Sequence, residues 1–231
     1  MIKRLAKDEA VQPPDWVTED WIKYWDSLGF DLCFLPAQDF LNNSFPDDWL
    51  DRPNDFFSRL IETGQLPRSA AQLTGHWLLV DGRDKPKKRR RWISSDEAKF
   101  FEKIKLPLGH FLRQQKTKQV YPQEFLNYSF KALGATSRFC LTPGEIEKIR
   151  EVVAELLYLP TEKVRLPNFV EYNCLGNLFF PQWASTATWE WLSDRAGDKQ
   201  LAAGAGSVSS LGLDPIDYWS TILGFRFVVE I

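Results

Sequence analysis

The chain has 231 residues, with 44% hydrophobic, 14% aromatic and 26% charged residues and a formal net charge of −2. That is the balance of an ordinary globule, and it excludes a disordered chain, a collagen and a sequence-wide repeat. No apolar run approaches the roughly 18 residues that span a bilayer, so no membrane span is expected. The N-terminus MIKRLAKDEA has basic residues without an apolar stretch behind them, which predicts no signal peptide and leaves the location unknown, cytoplasmic or virion-associated.

In chain order, Asp15–Leu28 reads as a helix with Trp16, Trp21 and Trp25 near one face and Gly29 as its stop. Residues 30–52, rich in Phe, Asp and Pro, read as irregular. Asn54–Thr63 reads as a second helix closed by Gly64. His76–Val80 (HWLLV) is a strand ended by Asp81-Gly82, and Ser94–Glu97 is a capping box opening a short helix. Thr142-Pro143-Gly144-Glu145 is the best local signal: Thr142 caps, Pro143 starts, and Glu145 reaches back. Ile146, Ile149, Val153 and Leu156 then fall at helical spacing as far as about Leu157. After Pro160 no amphipathic helix is predicted. The chain closes on one strand, Gly224–Ile231 (GFRFVVEI), which must pair inside a sheet.

Chemistry-bearing patterns are sparse. The three cysteines, Cys33, Cys140 and Cys174, form no framework and read as reduced, buried thiols. The only histidines are His76 and His110, so neither a metal site nor a cofactor is expected. There is no nucleophile elbow and no glycine-rich phosphate loop. Glu171, Glu190, Asp194 and Asp198 read as surface or core carboxylates rather than an acid–base pair. Charge is uneven, with residues 61–120 holding 14 of the 29 basic residues. Lys85, Lys87, Lys88, Arg89, Arg90 and Arg91 form a candidate anion patch; the competing reading is a solvated loop, since no aromatics are interleaved. A nucleic-acid role for that run predicts affinity falling steeply with salt.

The last hundred residues carry a series: Arg165-Leu166-Pro167, Glu171-Tyr172, Gly176-Asn177, Trp189-Glu190-Trp191-Leu192-Ser193-Asp194 and Gly224-Phe225-Arg226. In that order they resemble the C-type-lectin-type fold of the formylglycine-generating (sulfatase-modifying) enzymes, over about residues 136–231. Those enzymes use a late cysteine pair, and no cysteine follows Cys174 here. The scaffold is implied without the chemistry.

A further set resembles the variable proteins of diversity-generating retroelements, found in small-genome bacteria, archaea and archaeal viruses. It comprises Trp25–Asp31 (WDSLGFD), Arg52–Asp55 (RPND), His76–Asp81 (HWLLVD), Thr136–Phe139 (TSRF) and Gly176–Trp183 (GNLFFPQW). In such proteins adenine-directed mutagenesis diversifies chosen codons, usually Asn codons ending in a pyrimidine, on a C-type lectin fold. Pyrimidine-ended codons cannot encode Lys, Glu, Gln, Trp or Met. Residues 201–218, LAAGAGSVSSLGLDPIDY, contain none of the five, in a chain otherwise rich in Lys, Glu and Trp. An ordinary Gly/Ser-rich loop would read the same way.

The resemblance implies an α+β chain with a C-type lectin-like fold and N-terminal helical additions, forming a single unit over 1–231. Residues 1–75 would be the helical addition and 76–135 the first strand, basic loop and helix. Residues 136–231 would be the lectin core, with the variable region at about 176–231. It implies a non-catalytic protein that binds an unknown macromolecule, most simply a protein. The expected variable face is Leu213, Asp214, Pro215, Ile216, Asp217, Tyr218, Thr221 and Ile222, with Ser207, Val208, Ser209 and Ser210 second. Tyr218 is the expected anchor. The expected scaffold is Trp183, Trp191, Trp219, Phe225 and Val228, with Glu190 and Arg226 as buried polar anchors needing partners.

Overall fold

The computed structural model describes residues 1–4, 8–41, 49, 55–82, 141–186, 188–218, 220 and 222–231. These form an α+β arrangement of two sheets and four α-helices. In chain order the elements are β1 (Ile2–Lys3), α1 (Glu19–Ser27), β2 (Phe30–Asp39), α2 (Asp55–Glu62), β3 (Gln72–Asp81) and α3 (Pro143–Leu157). Then come β4 (Val164–Arg165), α4 (Phe169–Leu178), β5 (Trp189–Ala196), β6 (Lys199–Ala203), β7 (Leu211–Pro215), β8 (Leu223–Phe225) and β9 (Val228–Glu230). One sheet runs β1-β2-β3-β9-β4 and the other β7-β6-β5-β8.

The five-stranded sheet is buried on both faces, and its side chains alternate between two apolar clusters with the period-2 geometry of strands. Cys33, Leu35, Leu78, Val80 and Val228 face one cluster, together with Phe57 and Leu60 of α2 and most of α4. Leu32, Phe34, Trp77, Leu79 and Val229 face the other, with Trp25 of α1 and Ile146, Ile149 and Val153 of α3. Double burial is why β2 differs from the irregular segment expected: FDLCFLPAQD shows no apolar–polar alternation. Residues 1–75 thus supply β1, β2 and the start of β3 as well as helices.

The helix at Thr142 forms as its caps require. The Glu145 amide donates to Thr142 Oγ1 (3.3 Å), and Glu145 Oε2 accepts from the Thr142 amide (2.8 Å). It ends at Tyr158, whose left-handed φ of 56° places an aromatic residue where glycine is usual. Thr142→Ala removes the N-cap and is expected to lower stability by about 1 kcal/mol, read as a shift in the urea midpoint at constant slope.

α4 was not expected, because eight of its residues, Phe169–Gly176, are buried and no polar stripe marks it. Its start is nonetheless legible: Asn168 Oδ1 accepts from the Glu171 amide (2.8 Å) and Glu171 Oε2 accepts from the Asn168 amide (2.9 Å). Gly176 lets Val208 pack directly on the helix, where a Cβ would collide with the valine side chain.

The expected single C-terminal strand is two. β8 pairs in parallel with β5, while β9 pairs antiparallel with β3 and β4, so the chain crosses between sheets at Arg226-Phe227.

Candidate functional site

The crossing places Arg226 between the sheets. Its side chain is fully buried, which demands partners on every face of the guanidinium. Arg226 Nε donates to Glu190 Oε2 and Nη2 to Glu190 Oε1, both at 3.0 Å, a bidentate fork onto β5. Nη1 donates to the Asp81 carbonyl at the end of β3. The guanidinium lies 3.8 Å from the Trp183 ring centroid, and Trp183 stacks on Phe180 (4.5 Å, 3° between planes) and Tyr172 (5.3 Å, 25°). Trp191 is buried, its indole donating to the Leu141 carbonyl at 3.1 Å. Phe225 and Val228 are buried as well. Trp219 lies outside the described residues.

A second polar assembly holds the start of α4. Glu171 is buried and receives Arg165 through Nη1 (2.6 Å) and Nη2 (2.7 Å), with His76 Nε2 at 3.2 Å. Burial alone would push the Glu171 carboxyl up; Arg165, His76 and the Asn168 amide outweigh it and hold the group at about 2. Asp194 accepts from the Phe169 amide at 2.6 Å. Burial pushes its carboxyl up to about 6, the Glu171 charge adding to the rise against that amide bond.

The two shifts oppose each other in pH. Between about 6 and its ordinary 3.8, Asp194 binds its proton only in the folded state, so stability rises as pH falls. Between its ordinary 4.5 and about 2, Glu171 binds its proton only in the unfolded state, so stability falls with further acid. Each limb is worth roughly 3 kcal/mol. The expected result is that Asp194→Asn lessens the gain in thermal midpoint on acidification from pH 7 relative to the parent; identical pH profiles for the two contradict the Asp194 assignment.

The surface expected to vary starts on β7, the edge strand of the four-stranded sheet. β7 pairs with β6 in the register Leu201↔Leu213, Gln200↔Asp214 and Lys199↔Pro215. Beyond the strand, Pro215–Tyr218 is exposed, and Ile216 (45%) and Tyr218 (44%) are among the few large apolar side chains so open to solvent. Leu213, Asp214, Ser207, Ser210 and Ile222 are half-buried; Thr221 lies outside the described residues. Two expected face residues are instead interior. Val208 (1% exposed) packs on Gly176, and Ser209 (6%) accepts the Asn173 amide at 2.6 Å, because the turn that carries them folds down onto α4.

An open cleft of about 300 Å³ joins this surface to the frame. It is bounded by Leu213, Asp214, Tyr218 and Ile222, by Trp189 of the Trp189–Asp194 segment, and by Gly212, Ser220 and Leu223, which were not singled out from sequence. Trp189 lies against Gly212, whose position for a Cβ is 3.6 Å from the ring. The one usable sequence signal was the alternation in Trp189-Glu190-Trp191, which turns Trp189 and Trp191 to the side opposite Glu190. Burial pushes the Asp214 carboxyl up, with Lys199 opposing.

Elsewhere, the Cys33 and Cys174 thiols are buried and pushed well up, Cys33 by burial and then Asp31, Cys174 by burial and then Glu171. Such thiols stay protonated and unreactive. Cys140, His110 and the run Lys85, Lys87, Lys88, Arg89, Arg90 and Arg91 lie outside the described residues. Among the described residues, no group of three His, Cys, Asp or Glu is placed to hold a metal ion, and no helix is long and apolar enough to cross a membrane.

No family model and no curated protein matches the chain. Among solved structures, one titled "Crystal Structure of CarF" aligns with 88% of this chain and 99% of its own, at 11% identity and a TM-score of 0.42. Likeness at that level fixes neither fold nor function.

Proposed function

We propose that the chain is a non-catalytic ligand-binding protein, a variable protein of a diversity-generating retroelement, built on a C-type lectin-type scaffold. The observation that carries this reading is a coincidence of composition and position. The stretch 201–218, free of the five amino acids that pyrimidine-ended codons cannot encode, ends in the exposed run Pro215–Tyr218. In the frame, buried side chains are tied by directed bonds centred on Arg226, which grips Glu190 on β5, two strands from β7. Exposed positions away from caps and buried partners change stability by within about 0.5 kcal/mol when substituted, so such a surface can vary while the frame does not. Rigid display also reduces the ordering cost of binding.

Sequencing of the neighbouring DNA tests the reading. A near-copy of the coding stretch for about residues 176–231, differing only at adenines and lying beside a reverse transcriptase gene, is the expected result. A copy differing at all four bases, or no copy, overturns it.

A further inference from the structure

The cleft beside Tyr218 combines three features that single out one kind of guest. Its walls are aromatic and aliphatic: Trp189, Tyr218 and Ile222, with Gly212 against the Trp189 ring. Its volume, about 300 Å³, is at the small end of ligand sites and suits one side chain. Its charged group is a single carboxylate, Asp214, partly withdrawn from water. Lys199, exposed on the neighbouring strand, acts on Asp214 electrostatically, and among the described residues no salt bridge to Asp214 is formed.

We infer that this cleft takes the guanidinium of an arginine side chain carried by a protein partner. A guanidinium is planar and weakly hydrated. It stacks on Trp and Tyr faces while its fork pairs with a carboxylate, whereas a lysine ammonium keeps its water more strongly. Arginine is also among the side chains that most often anchor protein interfaces. Trp cannot be written by pyrimidine-ended codons, so Trp189 belongs to the constant frame and Asp214 and Tyr218 to the changeable rim. The cleft is then a constant aromatic wall whose charge preference is set by exchangeable neighbours. This inference rests on the display reading above.

The test is an NMR titration of the full chain with Nα-acetyl-arginine amide and, separately, its neutral citrulline counterpart. The expected result is saturable millimolar binding of the arginine probe, with shifts at the Trp189 indole and the Gly212 and Asp214 amides, and at least tenfold weaker binding of citrulline. D214N should weaken the arginine probe at least tenfold with an otherwise unchanged spectrum. Y218A, at an exposed position, should weaken it severalfold and guards against a folding defect in D214N. Equal binding of the two probes, shifts centred elsewhere, or no saturation overturns the inference. If it is overturned while binders can still be selected from libraries varied at residues 213–218, the display reading survives. If no binders emerge whatever arginine does, the display reading fails on its own account.

Discussion

Arg226→Met is expected to lower the free energy of unfolding by about 3–5 kcal/mol, measured by denaturant titration monitored by tryptophan fluorescence. Methionine fills much of the volume but leaves Glu190, itself buried, without the fork that neutralises it. It also strips a donor from the Asp81 carbonyl. Most of the loss is the cost of an unpaired buried charge, not the intrinsic worth of the ion pair. The double variant Arg226→Met, Glu190→Leu should therefore recover a large part of it, giving a coupling energy of at least about 1 kcal/mol in a double-mutant cycle. A single-variant loss under about 1 kcal/mol would show that Arg226 does not hold the two sheets together.

Trp183→Ala is expected to cost a similar amount, about 3–5 kcal/mol. Trp183 is fully buried, sandwiched against Phe180 and Tyr172 and covered by the Arg226 guanidinium, so truncation opens a cavity and removes the surface on which the guanidinium rests. Trp183→Phe should cost markedly less. It keeps a stacked ring, and the indole nitrogen it removes is buried without a hydrogen-bond partner among the described residues. Equal losses from the Ala and Phe variants, compared in the same urea titration, would contradict the stacking account.

How much of this was legible in the sequence follows from what each residue pattern encodes. Local chemistry was readable: the Thr142-Pro143-Gly144-Glu145 box forms as written, and His76–Val80 lies inside β3. Elements defined by burial on every side were not. β2 and α4 lack a polar face, so neither the period of 2 nor that of 3.6 shows against an apolar background. The Asn168/Glu171 capping box was the one signal that could have located α4. Gly224–Ile231 read as one strand because its composition is uniformly strand-like; the break at Arg226 arises from a buried ion pair with a residue 36 positions away, which no local window contains.

The candidate surface divides the same way. Asp214–Tyr218, expected as face from the resemblance, is half-buried at Asp214 and exposed over Pro215–Tyr218. Val208 and Ser209 were misplaced because their burial depends on Gly176 and Asn173 of a helix the pattern did not reveal. Trp189 is half-buried, and its edge toward the cleft depends on Gly212 lying against the ring, a contact no local pattern shows.

Saturation mutagenesis of residues 176–231 in the full chain, displayed on a cell surface and scored by protease resistance, reads most directly whether a stiff frame carries an exchangeable surface. The expected profile tolerates nearly every side chain at Asp214, Ile216, Asp217 and Tyr218, each within about 0.5 kcal/mol of the parent. It rejects nearly every one at Trp183, Glu190, Trp191, Val208 and Arg226. A profile in which Asp214–Tyr218 is as intolerant as Arg226 would contradict it.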